Sequence, residues 1–270
     1  MPVTLDQIVA ATRKRVAERK RVTGVAALRR EAARHQPRGF RGALAAAAQE
    51  RVAIIAELKK ASPSKGLLRE TFRPGAIAYE YAQAGATALS VLTEEEFFLG
   101  SLVNLREASA ACGLPCLRKD FIVDEFQLVE ARANCADAIL LLASVLSDQE
   151  LQVLQERAWE LELDVLCEVH DETELQRAID AGCDIIGVNS RDLRTFAVDL
   201  NTALTLGPQI PTGVLKVAES GISSGRDIAR LRRAGFDAFL IGESLIRQQD
   251  PGKALCILLA EAVNEAVVGL

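Results

Sequence analysis

The feature that most restricts this chain is an alternation that begins near residue 52 and persists almost to its end. Eight short apolar runs, 52–60, 88–94, 115–121, 138–144, 164–170, 185–191, 215–221 and 238–244, are separated by amphipathic stretches. Each run starts 21 to 36 residues after the one before it, the length of a strand, a crossover helix and two loops. Helical patterns such as Glu150–Leu161 and Asp227–Ala234 fill the gaps. A recurring turn introduces the next run: Ala84-Gly85-Ala86, Ala181-Gly182-Cys183 and Ala234-Gly235-Phe236. The glycine in each can take the left-handed conformation that ends a helix. Eight such units predict an α/β fold, a (β/α)8 barrel spanning residues 51–270, near the usual size of that fold. A doubly wound open sheet has fewer strands and often a glycine-rich loop after the first. Here the first run ends in Glu57-Leu58-Lys59-Lys60 with no GxGxxG behind it. No Pro/Gly/Ser-rich linker cuts the region into two domains.

Composition agrees with that reading. Aromatic residues are only 4% of the chain, so the core must be built from Ala, Leu, Val and Ile, as in helices packed on a buried sheet. The longest strongly apolar run, Ala138–Ala143, is far short of a membrane span. The first residues carry Asp6 and no apolar core of signal-peptide length, so the expectation is a cytoplasmic protein with no membrane partner. Six cysteines form no CxxC pair and the chain has two histidines. Buried reduced thiols are therefore expected, with no metal site and no cofactor.

Charge is unevenly spread. Residues 1–51 hold 12 Lys+Arg against 4 Asp+Glu, while the remainder holds 20 against 33. A basic arm can bind nucleic acid. This one has no aromatic interleaving for base stacking, and Thr4 with Gln7 forms a capping-box pattern ahead of Leu5, Ile8, Val9 and Val16 at helical spacing. Residues 1–50 are expected to be an N-terminal helical extension packed on the barrel with its charges in solvent, and not a nucleic-acid site. The chain is expected to be a monomer or weak homo-oligomer.

The apolar runs break in an informative way. Side chains two apart on a strand share a face, and the C-terminal strand ends of a parallel barrel build its site. Glu57 and Lys59 close the first run, Lys119 and Phe121 the third, Glu168 the fifth, Asn189 the sixth and Glu219 the seventh. One such residue alone is usually an exposed loop residue or half of a surface ion pair. Five strands with the same pattern point to a ring of three carboxylates, two amines and an amide, because inward charge is costly unless paired or useful. Such a ring suits general acid–base chemistry but does not name a reaction. Ser220-Gly221 after the seventh run and Gly242 after the eighth lie where this fold often grips phosphate. Ser62-Pro63-Ser64-Lys65-Gly66 after the first run adds hydroxyls and a charge.

These residues fall into seven blocks: AELKKASPSKG (56–66), SVLTEEEFFLGS (90–101), LRKDFIVDEFQ (117–127), CEVHDETEL (167–175), GVNSRDLRTF (187–196), KVAESGI (216–222) and FLIGESL (239–245). In order and spacing the chain resembles the indole-3-glycerol phosphate synthase family of the tryptophan pathway, from about residue 50 onward. Its basic N-terminal segment resembles that family's helical extension, which caps the barrel. The resemblance implies a small phosphorylated substrate, 1-(2-carboxyphenylamino)-1-deoxyribulose 5-phosphate, which closes a ring and loses carbon dioxide and water without a cofactor. By motif, Lys119 resembles the general acid for ring closure. Lys59 holds the substrate carboxylate, or is itself the acid in an alternative assignment. Glu168 is the base or proton shuttle for dehydration, Glu57 and Asn189 orient the lysines and sugar hydroxyls, and Glu219 supports the network. Phe98, Phe121 and Leu140 resemble the pocket for the anthranilate ring, while Ser62, Pro63, Ser220, Gly221 and Gly242 resemble the contacts to the phosphorylated end. Two positions depart from the pattern: Glu243, where some members have Ser, and Ser190, where many have Asn. Phosphoribosylanthranilate isomerase is a related rival, but its first strand ends in a cysteine base and this one ends in Glu-x-Lys. A non-catalytic phosphosugar-binding barrel is the other alternative, and its mark would be a lost Lys or Glu.

Overall fold

The computed structural model describes residues 3–192 and 195–268. Leu193 and Arg194 of the GVNSRDLRTF block lie outside them. Three helices come first: α1 (Leu5–Val22), α2 (Val25–Ala32) and α3 (Phe40–Glu50). The barrel strands follow as β1 (Ala53–Leu58), β2 (Ala88–Leu92), β3 (Cys116–Lys119), β4 (Ala138–Leu142), β5 (Asp164–Val169), β6 (Ile185–Asn189), β7 (Leu215–Glu219) and β8 (Ala238–Ile241). All pair in parallel, each with its sequence neighbours, and β8 closes onto β1 through Ala53↔Ala238 to Ala56↔Ile241. The expected (β/α)8 barrel is the fold observed. Its strands are shorter than the apolar runs, so Lys59, Phe121 and Ser220 sit in loops just beyond the strand ends.

The helices between the strands are α4 (Pro74–Gln83), α5 (Leu102–Ala111), α6 (Glu125–Ala133), α7 (Asp148–Glu160), α8 (Glu172–Asp180), α9 (Asn201–Leu206) and α10 (Gly225–Arg233). A four-residue helix α11 (Glu243–Ile246) and the long α12 (Pro251–Val268) follow β8. Capping is local and legible: Ser101, Asp124, Ser147, Asp171 and Ser224 each accept a backbone N–H in the first turn of the helix they precede. Gly85, Gly182 and Gly235 have φ of 94°, 76° and 89°, so the recurring turn is the left-handed stop its sequence implies.

Period-two alternation divides the sheet into two cores. Ile54, Ala56, Leu89, Val91, Ile139, Leu141, Ile186 and Val188 point outward and pack beneath the helices. Ile55, Leu117, Leu140, Leu166, Val217 and Leu240 point inward with Ala53, Ala88, Ala138 and Ala238. Helix α3 presses Phe40, Leu44 and Ala47 against the same inner cluster, closing the N-terminal end of the barrel with apolar side chains.

The basic extension differs from its expectation in one respect. Its charges are not simply solvated. Arg13 pairs with Glu150, Arg15 with Glu94, Arg19 with Glu95 and Glu130, Lys20 with Asp124, Arg38 with Asp137 and Arg41 with Asp184. The positive arm and the negative remainder of the chain are complementary surfaces. The tightest point is Asp137, fully buried, which accepts from Arg38 N, Nε and Nη2 and from Cys116 N.

Candidate active site

The inward face of the barrel changes character at its last layer. Continuing by twos from Ile55, Leu117, Leu166 and Val217 brings Glu57, Lys119, Glu168 and Glu219 to the C-terminal mouth. Their position costs solvation, since the three carboxylates are no more than 4% exposed, and each is answered by a specific partner. Lys119 Nζ donates to Glu168 Oε2 at 2.9 Å and to Glu219 Oε2 at 2.8 Å. Lys59 Nζ lies 2.5 Å from Glu57 Oε1. Asn189 Nδ2 donates to Glu168 Oε1 at 2.9 Å, and Asn189 sits in register with Glu219 across β6 and β7.

The pairing splits the acidities. Burial disfavours the Lys119 ammonium, but Glu168, Glu219 and Glu57 together outweigh it and raise its pKa above the ordinary lysine value. Burial likewise works against the Glu168 carboxylate, yet Lys119 and His170 hold it well below the usual range. Glu219 is pushed up to about 7, first by burial and then by the neighbouring Glu168 and Glu57, against the pull of Lys119. Two carboxyls around one ammonium thus have opposite tendencies, the pattern that separates an ionised base from a proton-holding partner.

Two glycines make room for this layer. A Cβ on Gly187 would overlap Glu219 Oε1, and one on Gly242 would overlap Glu57 Oε1. Gly187 occupies an inward position of β6, in register with Glu168 and Val217 on the strands to either side. A glycine inside an otherwise β-branched strand, Ile185-Ile186-Gly187-Val188, is the sequence signal for such a close approach.

All fourteen residues expected at the site line one cleft: Glu57, Lys59, Ser62, Pro63, Phe98, Lys119, Phe121, Leu140, Glu168, Asn189, Glu219, Ser220, Gly221 and Gly242. Phe98 and Phe121 form one wall, ring centroids 6.2 Å apart and tilted by 44°, with Leu92, Leu140 and Leu142 beside them. This apolar side belongs to β2, β3 and β4. The loops after β1, β7 and β8 form the side across the mouth. There Ser220 and Gly221 have consecutive left-handed backbone, φ 63° and 76°, α11 begins directly after Gly242, and Ser62 Oγ is buried without a hydrogen-bond partner among the described residues.

Sequence reasoning missed several lining groups. Arg191 Nη2 reaches Glu243 Oε2 at 3.3 Å, and Arg247 Nη1 reaches Glu243 Oε1 at 3.4 Å, so the departure at Glu243 places a paired carboxylate at the glycine-rich side. Phe196 also lines the cleft. Arg118, beside Lys119 in sequence, points the other way and is held by Asp120 and Glu130 beneath the helices.

The model of the family described as indole-3-glycerol phosphate synthase matches residues 5–258. The chain belongs to that family. It is 54% identical over 255 residues to the indole-3-glycerol phosphate synthase of Koribacter versatilis, covering 94% of this chain and 98% of that one. With the synthase of Acidithiobacillus ferrooxidans the identity is 50% over 253 residues, covering 93% and 96%. Among solved structures, thiamine phosphate pyrophosphorylase from Pyrococcus furiosus superposes with a TM-score of 0.59 at 16% identity, over 79% of this chain and 96% of that one; this likeness speaks to the barrel alone. Indole-3-glycerol phosphate synthases are carboxy-lyases of tryptophan biosynthesis, and this chain, which matches both relatives over almost their whole length, carries their reaction.

Proposed function

We propose that the charged layer at the barrel mouth carries the indole-3-glycerol phosphate synthase reaction, with Lys119 as the general acid of ring closure. The observation that supports this most directly is the position of the Lys119 ammonium, held between the buried carboxylates of Glu168 and Glu219 at the mouth. Apolar rings stand on one side and glycine-rich loops on the other. The substrate has the same polarity, an aromatic carboxylate at one end and a phosphate at the other. Phe98, Phe121 and Leu140 take the aromatic ring. Ser62 Oγ and the loops at Pro63, Ser220, Gly221 and Gly242 take the phosphate, where glycine lets backbone N–H groups approach.

In that pose the ring carbon bearing the carboxylate attacks the ribulose carbonyl, and the developing alkoxide takes a proton from Lys119. The raised pKa of Lys119 is no obstacle, because an alkoxide is a much stronger base than an amine. Lys59, less enclosed than Lys119, faces the substrate carboxylate, which leaves as carbon dioxide and returns its electron pair to the ring. Glu168, kept ionised, then removes a ring proton while the new hydroxyl leaves as water with a proton from the lysine side. Glu57 and Asn189 hold Lys59 and Glu168 in place, and Glu219 shares its charge with Lys119.

Residues 1–50 are read as an extension that closes the opposite end and 51–270 as the catalytic domain, working in the cytoplasm as a monomer or weak homo-oligomer. The experiment that tests the function is indole fluorescence on adding the carboxyphenylamino-ribulose phosphate to purified protein with a chelator present. Turnover supports the reading, and substrate binding without turnover would instead favour a phosphosugar-binding barrel.

A further inference from the structure

We infer that His170 is a positioning residue: its imidazolium, bracketed by the carboxylates of Glu168 and Glu174, holds the base Glu168 ionised and in place from outside the catalytic cleft. The inference rests on the reading of Glu168 as the base.

His170 follows Glu168 by two residues, so it lies on the same side of β5, one step past the strand end. It does not line the catalytic cleft. It lines a second cleft of about 810 Å³, with several acidic residues in its lining, which shares Asn189 with the first. Each ring nitrogen faces a carboxylate. Nδ1 lies 3.0 Å from Glu174 Oε2, and the same oxygen accepts the His170 backbone N–H at 2.8 Å. Nε2 lies 3.2 Å from Glu168 Oε1, without hydrogen-bond alignment, so this contact acts through charge. A neutral imidazole has one N–H, and it would turn a lone pair toward one of the two carboxylates. Only the doubly protonated ring turns an N–H toward each of them.

The surroundings favour that charge. Glu174 stands in the first turn of α8, where the helix dipole steadies an anion. Asp6 of α1, Asp171, and Asp192 and Asp199 beyond β6 line the same cleft, and among the described residues Lys119 is the cation on the far oxygen of Glu168. Burial alone would lower the ring's pKa, but Glu168 and Glu174 raise it to about 10. A carboxylate flanked by Lys119, Asn189 and an imidazolium remains a free base at any pH where the enzyme works.

The test combines one spectrum and one pH profile. The chain has two histidines, so His35→Gln leaves a single ring for nitrogen-detected NMR. At pH 8 both ring nitrogens should carry protons, and a neutral ring there would overturn the inference. In His170→Gln the acid limb of kcat should move up by about one pH unit or more and kcat near neutrality should fall about tenfold, with KM little changed. An unmoved limb with wild-type kcat would overturn it. If His170→Gln does not fold, Glu174→Gln carries the test: it should lower the ring's pKa and bring an alkaline limb below pH 10, and a profile identical to wild type would count against the proposal. Near-wild-type turnover in Glu168→Gln would instead sink the reading of Glu168 as base, recognisable because in the His35→Gln protein, which keeps Glu168, the ring would still be doubly protonated at pH 8.

Discussion

Glu168 on β5 and Glu219 on β7 share a single ammonium, with Lys119 Nζ 2.9 Å from one carboxylate and 2.8 Å from the other. Two buried acids on one cation cannot be equally ionised at little cost. Here Glu168 has an additional donor, Asn189, and the charge of His170 beside it, and stays charged, while Glu219 is left as the weaker acid with Oε1 unpartnered among the described residues. The asymmetry between two chemically identical groups comes from their neighbours, and the proposed roles follow from it.

Replacing Lys119 with Met removes both the proton donor and the cation that both carboxylates share. Turnover should fall by about two to four orders of magnitude, read as the initial rate of indole fluorescence. A rate within a few-fold of wild type would reject Lys119 as the acid.

Glu219 gives a stability prediction whose sign follows from its pKa of about 7. A carboxyl raised above its unfolded value near 4.3 favours folding while protonated, and that contribution is lost as pH rises through 7. Glu219→Gln, which keeps an acceptor for Lys119, should therefore be more stable than wild type at pH 8, by about 1–3 kcal/mol. The difference should vanish toward pH 4.5 in urea titrations at the two pH values.

Gly242→Ala places a methyl group where Glu57 Oε1 lies. Displacing Glu57 frees Lys59 from its partner, so kcat should fall about tenfold or more, beyond any rise in KM from the phosphate side. A pure KM effect in steady-state kinetics would mean that Glu57 does not depend on the room beside Gly242.

Glu243 puts a carboxylate on the side proposed for phosphate, offset by Arg191 and Arg247. Glu243→Ser removes the like charge and releases Arg191, so KM should drop by about two- to fivefold at low salt, less at high salt. Steady-state kinetics at two ionic strengths checks this.

Arg38 tests the fold apart from the site. Arg38→Met leaves the buried Asp137 carboxylate without its main partner, which should cost about 3–5 kcal/mol of stability with kcat of the folded enzyme unchanged. Denaturant unfolding and kinetics on the same preparation separate the two.

Much of the barrel was legible because parallel strands buried on both faces must read as continuous apolar runs, and a crossover helix imposes their spacing. The breaks at Glu57, Lys119, Glu168, Asn189 and Glu219 were legible for the same reason: a charge ending an apolar run on the inward face is conspicuous. Strand ends were overrun by one or two residues at Lys59 and Phe121, since residues that line the mouth from loops are as apolar or as patterned as those within strands. Arg118 shows the limit of composition. It sits in the same block as Lys119, yet alternation sends it to the outer face, where Asp120 and Glu130 neutralise it.

By itself, then, the sequence determined the eightfold alternation, the capped helices, the layer at which charge enters the barrel and the family to which the chain belongs. These depend on period, local hydrogen bonding and residue type, which are properties of short segments. Tertiary structure decided which carboxylate faces which amine, why Gly187 and Gly242 must lack a side chain, how His170 comes to sit between Glu168 and Glu174, and that the basic arm is matched to acids of the barrel. Each of those depends on distances between strands far apart in the chain. Only closure of the barrel sets those distances, and the same burial that assembles the groups shifts their acidities.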